Sequence, residues 1–288
     1  MAEIGMASVG RKINSTSTTA LVFIATTFAL NTAAEQKPTW EIGVGAGALS
    51  FPAYRGSDEQ LGILLPIPYV VYRGEWVKAD REGIRSIFFD SDRIHLNLSM
   101  NASIPVDSDR VDAREGMPDL KPTVEIGPSL NFTVWQSRNR QQKFELRLPA
   151  RYAITAETNP EAVGWQLTPR LTLDLFSPAK LDGWNVGLLA GPIYSSKRQH
   201  DYFYSVDDRY ATATRPAYDA SGGYAGWQWL GSISKRFPNY WIGGFIRYDS
   251  LRGAVFADSP LVTSNHYTAG GIAVAWIIGE SSQRSDDQ

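Results

Sequence analysis

Three histidines, His95, His200 and His266, are the whole supply of imidazole in this 288-residue chain, and cysteine is absent. Thiol nucleophiles, thiolate zinc sites, disulfide frameworks and a lipid anchor on an N-terminal cysteine are therefore excluded. His95 shares one face of an alternating stretch with Asn97, Ser99 and Asn101, side-chain types that a serine hydrolase uses. Nucleophilic catalysis needs the serine within hydrogen-bond reach of the histidine and a third group that orients the ring. Residues i, i+2 and i+4 of one strand follow at intervals of ~6.6 Å, so the row predicts a hydrated wall instead. His200 lies in Arg198-Gln199-His200-Asp201, with Asp207-Asp208 nearby. The cluster has no His-x-x-x-His pair and no calcium-loop pattern, and spacing of this sort is common by chance. No catalytic residue, cofactor or metal is expected.

The elements that must carry these residues are strands. Ile94, Leu96, Leu98 and Met100 alternate with the His95 row, and Val124, Ile126, Leu130, Phe132 and Val134 alternate with Thr123, Glu125, Ser129 and Asn131. Phe144, Leu146, Leu148 and Tyr152 likewise oppose Lys143, Glu145, Arg147 and Arg151. A period of two is the strand signature, and no stretch shows helical periodicity. Strands are predicted at about 40–50, 60–73, 74–81, 84–90, 93–105, 121–136, 142–155, 164–177, 183–195, 222–236, 239–251 and 266–279. The connections alternate between short and long, with 106–120, 196–221 and 252–265 long. That asymmetry, with strands of ~9–11 residues or more, is the pattern of an outer-membrane β-barrel. The fold class expected is all-β, a transmembrane antiparallel up-and-down β-barrel of about twelve strands, with ten as the alternative.

Composition agrees. The chain is 43% hydrophobic and 12% aromatic, too apolar for disorder, and its net charge of −2 leaves no basic stripe for nucleic acid. Ala20 to Leu30 is the one sustained apolar run, preceded by Arg11-Lys12 and followed by Asn31-Thr32-Ala33-Ala34. Eleven residues are too few to span a bilayer, so residues 1–34 read as a signal peptide, residues 35–279 as the barrel and 280–288 as a polar tail, expected to be disordered. Trp40, Trp76, Trp135, Trp184, Trp241 and Trp276 all fall near strand ends on the periplasmic side, as an aromatic belt would. A soluble sandwich would alternate too, but the charge on the face opposite the apolar one reads as a wet lumen. Pro128, Pro149, Pro169, Pro192, Pro66 and Pro68 sit inside predicted strands, where bulges or bends are expected.

His95, Glu125, Lys143, Glu145, Arg147, Arg151, Arg170, Asp174, Arg247 and Asp249 are expected to line the lumen. Their mixed signs suggest paired ladders that fill a plugged or narrow barrel, with an open channel as the alternative. The segment 196–221 carries Tyr202, Phe203, Tyr204, Tyr210 and Tyr218 among arginines and aspartates. Such a mixture suits an extracellular contact surface, or rings packed locally over the barrel mouth.

Several segments, taken in order, resemble the MipA/OmpV family, the MltA-interacting proteins of Gram-negative outer membranes. They are Pro52-Ala53-Tyr54-Arg55-Gly56-Ser57-Asp58, Leu65-Pro66-Ile67-Pro68-Tyr69, Gly127-Pro128-Ser129-Leu130, Gly191-Pro192-Ile193-Tyr194, Pro216-Ala217-Tyr218-Asp219-Ala220-Ser221-Gly222-Gly223-Tyr224 and Phe256-Ala257-Asp258-Ser259-Pro260-Leu261-Val262. The resemblance implies an outer-membrane protein among lipids, without catalytic residues. It also implies a scaffold role linking a lytic transglycosylase to a penicillin-binding protein, with a narrow solute channel or a surface adhesin as alternatives. Under the scaffold role, the periplasmic turn Ser137-Arg138-Asn139-Arg140 and Lys143 would carry the contacts.

Overall fold

The computed structural model describes residues 37–73, 77–80, 83–91, 93–178 and 181–285. The leader expected at 1–34 lies outside them, as does Trp76. The strands are β1 (Lys37–Pro38), β2 (Trp40–Pro52), β3 (Gln60–Arg73), β4 (Val77–Asp80), β5 (Gly83–Asp90), β6 (Ile94–Ser103), β7 (Thr123–Gln136) and β8 (Gln142–Thr155). They continue as β9 (Ala162–Leu167), β10 (Arg170–Phe176), β11 (Trp184–Ser195), β12 (Gly223–Arg236), β13 (Tyr240–Ser250), β14 (His266–Glu280) and β15 (Arg284–Ser285). One α-helix, α1 (Lys197–Tyr204), and three short 3-10 turns occupy the long loops. β2 to β14 form one antiparallel sheet that closes on itself, because β14 pairs with β2 and β8 pairs with both β9 and β10. β9 and β10 are the halves of one strand interrupted at Thr168-Pro169, so the ring makes twelve passes.

The alternation in the sequence is the inside-outside alternation of the wall. Leu64 is 86% exposed and Ile272 71%, and Val44, Val70, Val134, Ile246 and Ile278 are exposed with them. An apolar belt of that extent in water would be an aggregation surface, whereas in a bilayer it is the face that lipid solvates. Trp40, Trp135 and Trp276 belong to this outer face. Trp241 does not: its ring covers Gly243, where an added Cβ would lie 2.4 Å from ring carbons, and packs 6.1 Å from Tyr69 inside the barrel.

The prolines behave differently from the expectation of a bulge at each. Only Pro169 breaks a strand, and only Pro192 lies beside a register shift, the one between Ile193 and Tyr194. Pro66 and Pro68 stay in register with Ala46 and Val44. The described part of the tail is also ordered: Arg284 and Ser285 of β15 pair with Pro38 and Lys37, and Thr39 N–H donates to Gln283 O at 3.0 Å.

Inside, the wall has two characters. Inward positions of β6 to β10 carry Asn97, Ser129, Glu125, Glu145, Arg151 and Thr172, all buried polar groups. At mid-height the inward rows of β14, β2 and β3, Ala273, Gly47 and Leu65 or Gly271, Leu49 and Ile63, are glycine, alanine or aliphatic, while toward one end Glu41 of β2 is buried and paired with Arg236. Gly47 is needed for that packing, because its missing Cβ leaves room for Ile67 Cδ1.

Candidate functional site

The interior of the upper barrel is a chamber of about 610 Å3. Its charged wall is built from the inward face of β7, β8 and β10. Arg151 Nε donates to Glu125 Oε2 at 2.9 Å and its Nη1 to Ser99 Oγ at 3.2 Å. Arg147 bridges Glu145 Oε2 at 2.7 Å and Asp174 Oδ2 at 3.0 Å, and Lys143 Nζ reaches Glu145 Oε1 at 2.6 Å. Lys143, Glu145 and Arg147 alternate along the inward face of β8, and β10 sets Thr172 opposite Glu145 and Asp174 opposite Lys143, which brings Asp174 within reach of Arg147. Buried charge is tolerated only when paired in this way.

A second cluster closes the top. Asp249, fully buried, accepts from Arg247 Nε at 2.8 Å and Nη2 at 2.7 Å, from Arg55 Nε at 2.9 Å and from the Tyr267 hydroxyl at 2.6 Å. Arg55 comes from the β2–β3 connection, where Gly56 adopts φ +99 against Leu251 and Val262. That left-handed conformation favours glycine. Burial works against the Arg55 charge, but Tyr267 and Asp249 outweigh it and hold the guanidinium above its ordinary range.

Above the chamber the loops fold onto one another as a cap with its own hydrophobic core. Leu251, Phe256 and Ala220 are fully buried, with Tyr54, Val106, Val111, Leu120 and Tyr204 around them. Tyr204 stacks on Phe256 with centroids 3.7 Å apart and an interplanar angle of 7°. Its hydroxyl donates to Arg55 O at 2.9 Å, and Tyr54 OH donates to Leu261 O at 2.6 Å. Desolvation pushes the Tyr54 phenol up to about 12. Arg114, buried, crosses between loops by donating to Phe203 O, Ser108 Oγ and Pro118 O. His200 packs edge-on at 4.5 Å from Phe256, and its Nδ1 donates to Ser221 O at 2.6 Å. Burial lowers its pKa, with the Ser221 bond acting against the shift.

Of the ten positions expected in the lumen, Glu125, Arg147, Arg151, Arg170 and Arg247 line the chamber directly. Lys143, Glu145, Asp174 and Asp249 stand beside or behind them as ion-pair partners. His95 lies toward the periplasmic end, its Nε2 3.5 Å from Thr133 Oγ1. Ser99, which its row would offer as a nucleophile, instead accepts from Arg151.

The five loop aromatics mostly pack inward. Tyr204 is buried, Phe203 and Tyr202 lie against the cap core, Tyr210 and Tyr218 against Leu261 and Val206, and Tyr202 OH bonds the Lys121 backbone. The reading as packed rings describes this geometry, and Tyr204 presents nothing outward. Sequence reasoning missed Arg55 and Arg114. Arg55 had a signal, because it sits in the Tyr54-Arg55-Gly56 segment that carried the resemblance.

A family model described as MltA-interacting protein MipA matches residues 44–278. The chain belongs to that family. Outer membrane protein OmpV of Vibrio cholerae serotype O1 (strain ATCC 39315 / El Tor Inaba N16961) is 25% identical over 243 residues, 82% of this chain and 86% of its own length. Outer membrane protein Omp26La of Vibrio anguillarum is 24% identical with the same coverage. This MipA-family chain is an outer-membrane protein, consistent with its apolar belt. Among solved structures, the outer membrane protein OprG from Pseudomonas aeruginosa matches at a TM-score of 0.21 and 11% identity, over 84% of this chain and 94% of that one. A score that low adds nothing to the pairing described above.

Proposed function

We propose that this MipA-family barrel is a non-catalytic scaffold that docks peptidoglycan-remodelling enzymes, a lytic transglycosylase and a penicillin-binding protein, through its periplasmic turns. The observation that carries the reading is the cap: the long loops are consumed in packing on one another over the mouth, which favours a closed, rigid platform over a conduit. The family's description as an MltA-interacting protein adds the class of partner. The contact surface in this reading includes the β7–β8 turn, where Arg138, Asn139 and Arg140 are exposed at the end of the barrel away from the cap. Tagged mature barrel, extracted in detergent, is expected to enrich a lytic transglycosylase from envelope fractions. Charge reversal by Arg138→Glu with Arg140→Glu is expected to weaken that enrichment. Absence of any murein enzyme from the intact protein's eluate contradicts the reading.

A further inference from the structure

The chamber under the cap is lined largely by polar and charged side chains, and positive groups are in excess. Among the described residues, Arg55, Arg147, Arg151, Arg170 and Arg247 line it against one carboxylate, Glu125. Glu125 is already engaged, because its Oε2 accepts from Arg151 Nε at 2.9 Å and from Asn101 Nδ2 at 3.3 Å. An ammonium entering the chamber would face arginines and find no lining carboxylate left to pair with, so cations and zwitterions are disfavoured.

Donors without a partner stand on two opposite walls. At the top, Arg55 and Arg247 share the single carboxylate of Asp249, which leaves this trio with one net positive charge. Their side chains keep 20% and 30% of their surface inside the chamber that they line, and the Nη1 group of each donates to no described residue. Gln228, which also lines the chamber, is the register partner of Asp249 and stands beside them. Two guanidinium groups that share one carboxylate and retain donors form a site for a further monoanion. Across the ring, β6 and β7 lie opposite β12 and β13 in the sheet order, and their inward residues Asn97 and Asn131 are buried in the chamber wall. Asn131 accepts from Ser129 Oγ at 2.7 Å, but its amide N–H groups and the whole Asn97 amide meet no partner among the described residues. Buried amides are hydrogen-bonded as a rule, so two of them on one chamber wall mark a place for hydroxyl groups.

At about 610 Å3 the chamber has the capacity of a small-molecule site. Phe245, the next inward residue below Arg247 on β13, faces its register partner Gly271 and stays 38% exposed, so open space continues below the chamber toward the periplasmic end. We infer that the chamber is a binding pit for a small hydroxylated carboxylate, a monoanion of sugar-acid size. Its carboxylate accepts from Arg55 and Arg247, and its hydroxyls bond to Gln228 on the same wall and to Asn97 and Asn131 on the other. The site lies at the opposite end of the barrel from the turns of the scaffold reading and does not rest on it.

The test uses the full mature protein in phosphatidylcholine nanodiscs and isotopically labelled D-glucuronate in equilibrium dialysis. Saturable binding at a single site per barrel is expected. D-Glucose, which has the hydroxyls without the charge, and propanoate, which has the charge without the hydroxyls, should each compete about tenfold less well. Arg247→Gln, which leaves Asp249 its partner Arg55, should weaken glucuronate binding about tenfold. Asn97→Leu, which leaves every charge in place, should weaken glucuronate about threefold and leave propanoate unchanged. Folding of both variants is checked by heat-modifiable migration, and where a variant does not fold, the ranking of the solutes on the intact protein decides. No saturable binding to the intact barrel, equal competition by glucose, stronger competition by inorganic phosphate, or unchanged affinity in both folded variants would overturn the inference.

Discussion

The cap and the barrel below it solve opposite problems with the same chain. In the cap, Phe256, Leu251 and Tyr204 are buried and charge lies outside or bonds to loop carbonyls, as in a small water-soluble domain. In the barrel, Leu64 and Ile272 are outside while Glu145, Arg151 and Asp249 are inside. The hydrophobic effect in water holds the first together. In the second the bilayer already accepts the apolar face, and backbone ladders with paired charges do the holding. A substitution of one chemical kind should therefore have opposite consequences in the two regions.

The largest effect is expected from Phe256→Ala, which removes a fully buried ring stacked on Tyr204 and should cost the cap about 4 kcal/mol. The loops should become sensitive to added protease on the cell surface while the barrel keeps its heat-modifiable migration. Loss of the folded barrel band would show that the two regions are not separable. Next, Arg151→Met leaves Glu125 buried without its guanidinium and should cost the barrel about 3 kcal/mol in urea unfolding. Adding Glu125→Leu should recover much of that loss, since a pair removed together leaves no uncompensated charge. Recovery absent in the double variant would mean that the ladder does more than neutralise itself.

A charge placed on the outer face gives the converse comparison. Leu64→Arg should cost about 2 kcal/mol in a bilayer, although an exposed arginine in a water-soluble protein is nearly neutral. A null effect in lipid would put Leu64 outside the hydrocarbon.

The smallest effect is a pH dependence confined to the cap. Burial holds the His200 pKa below its ordinary value, so below about pH 6.5 the unfolded loop binds a proton that the folded cap refuses. Cap stability should be fully present above that pH and decline below it. Limited proteolysis across the range should show the decline, and His200→Phe should flatten it without changing barrel unfolding.

Much of the wall was legible because its signals are local. Alternation along 94–101 and 142–155 fixes which residues share a face, and the strand limits at 60–73 and 142–155 follow the flanking turn residues. The glycine-rich strands were harder. In Gly43, Gly45 and Gly47 there is no side chain to mark a face, so the apolar half of the interior and the inward Trp241 had no signature. The break at Thr168-Pro169 was hidden within one predicted strand, because Arg170 and Asp174 continue its alternation. The cap was illegible for another reason: its contacts join Tyr204 to Phe256 and Arg55 to Asp249, across 52 and 194 positions, and no period reports such pairs.

The central claim is that the folded cap closes the barrel mouth, and planar-bilayer recording of the intact chain tests it most directly. The packed cap predicts no steady ion conductance from folded protein, and stepwise conductance only when Phe256→Ala loosens the loops. A stable open channel from the intact, folded protein would contradict the account.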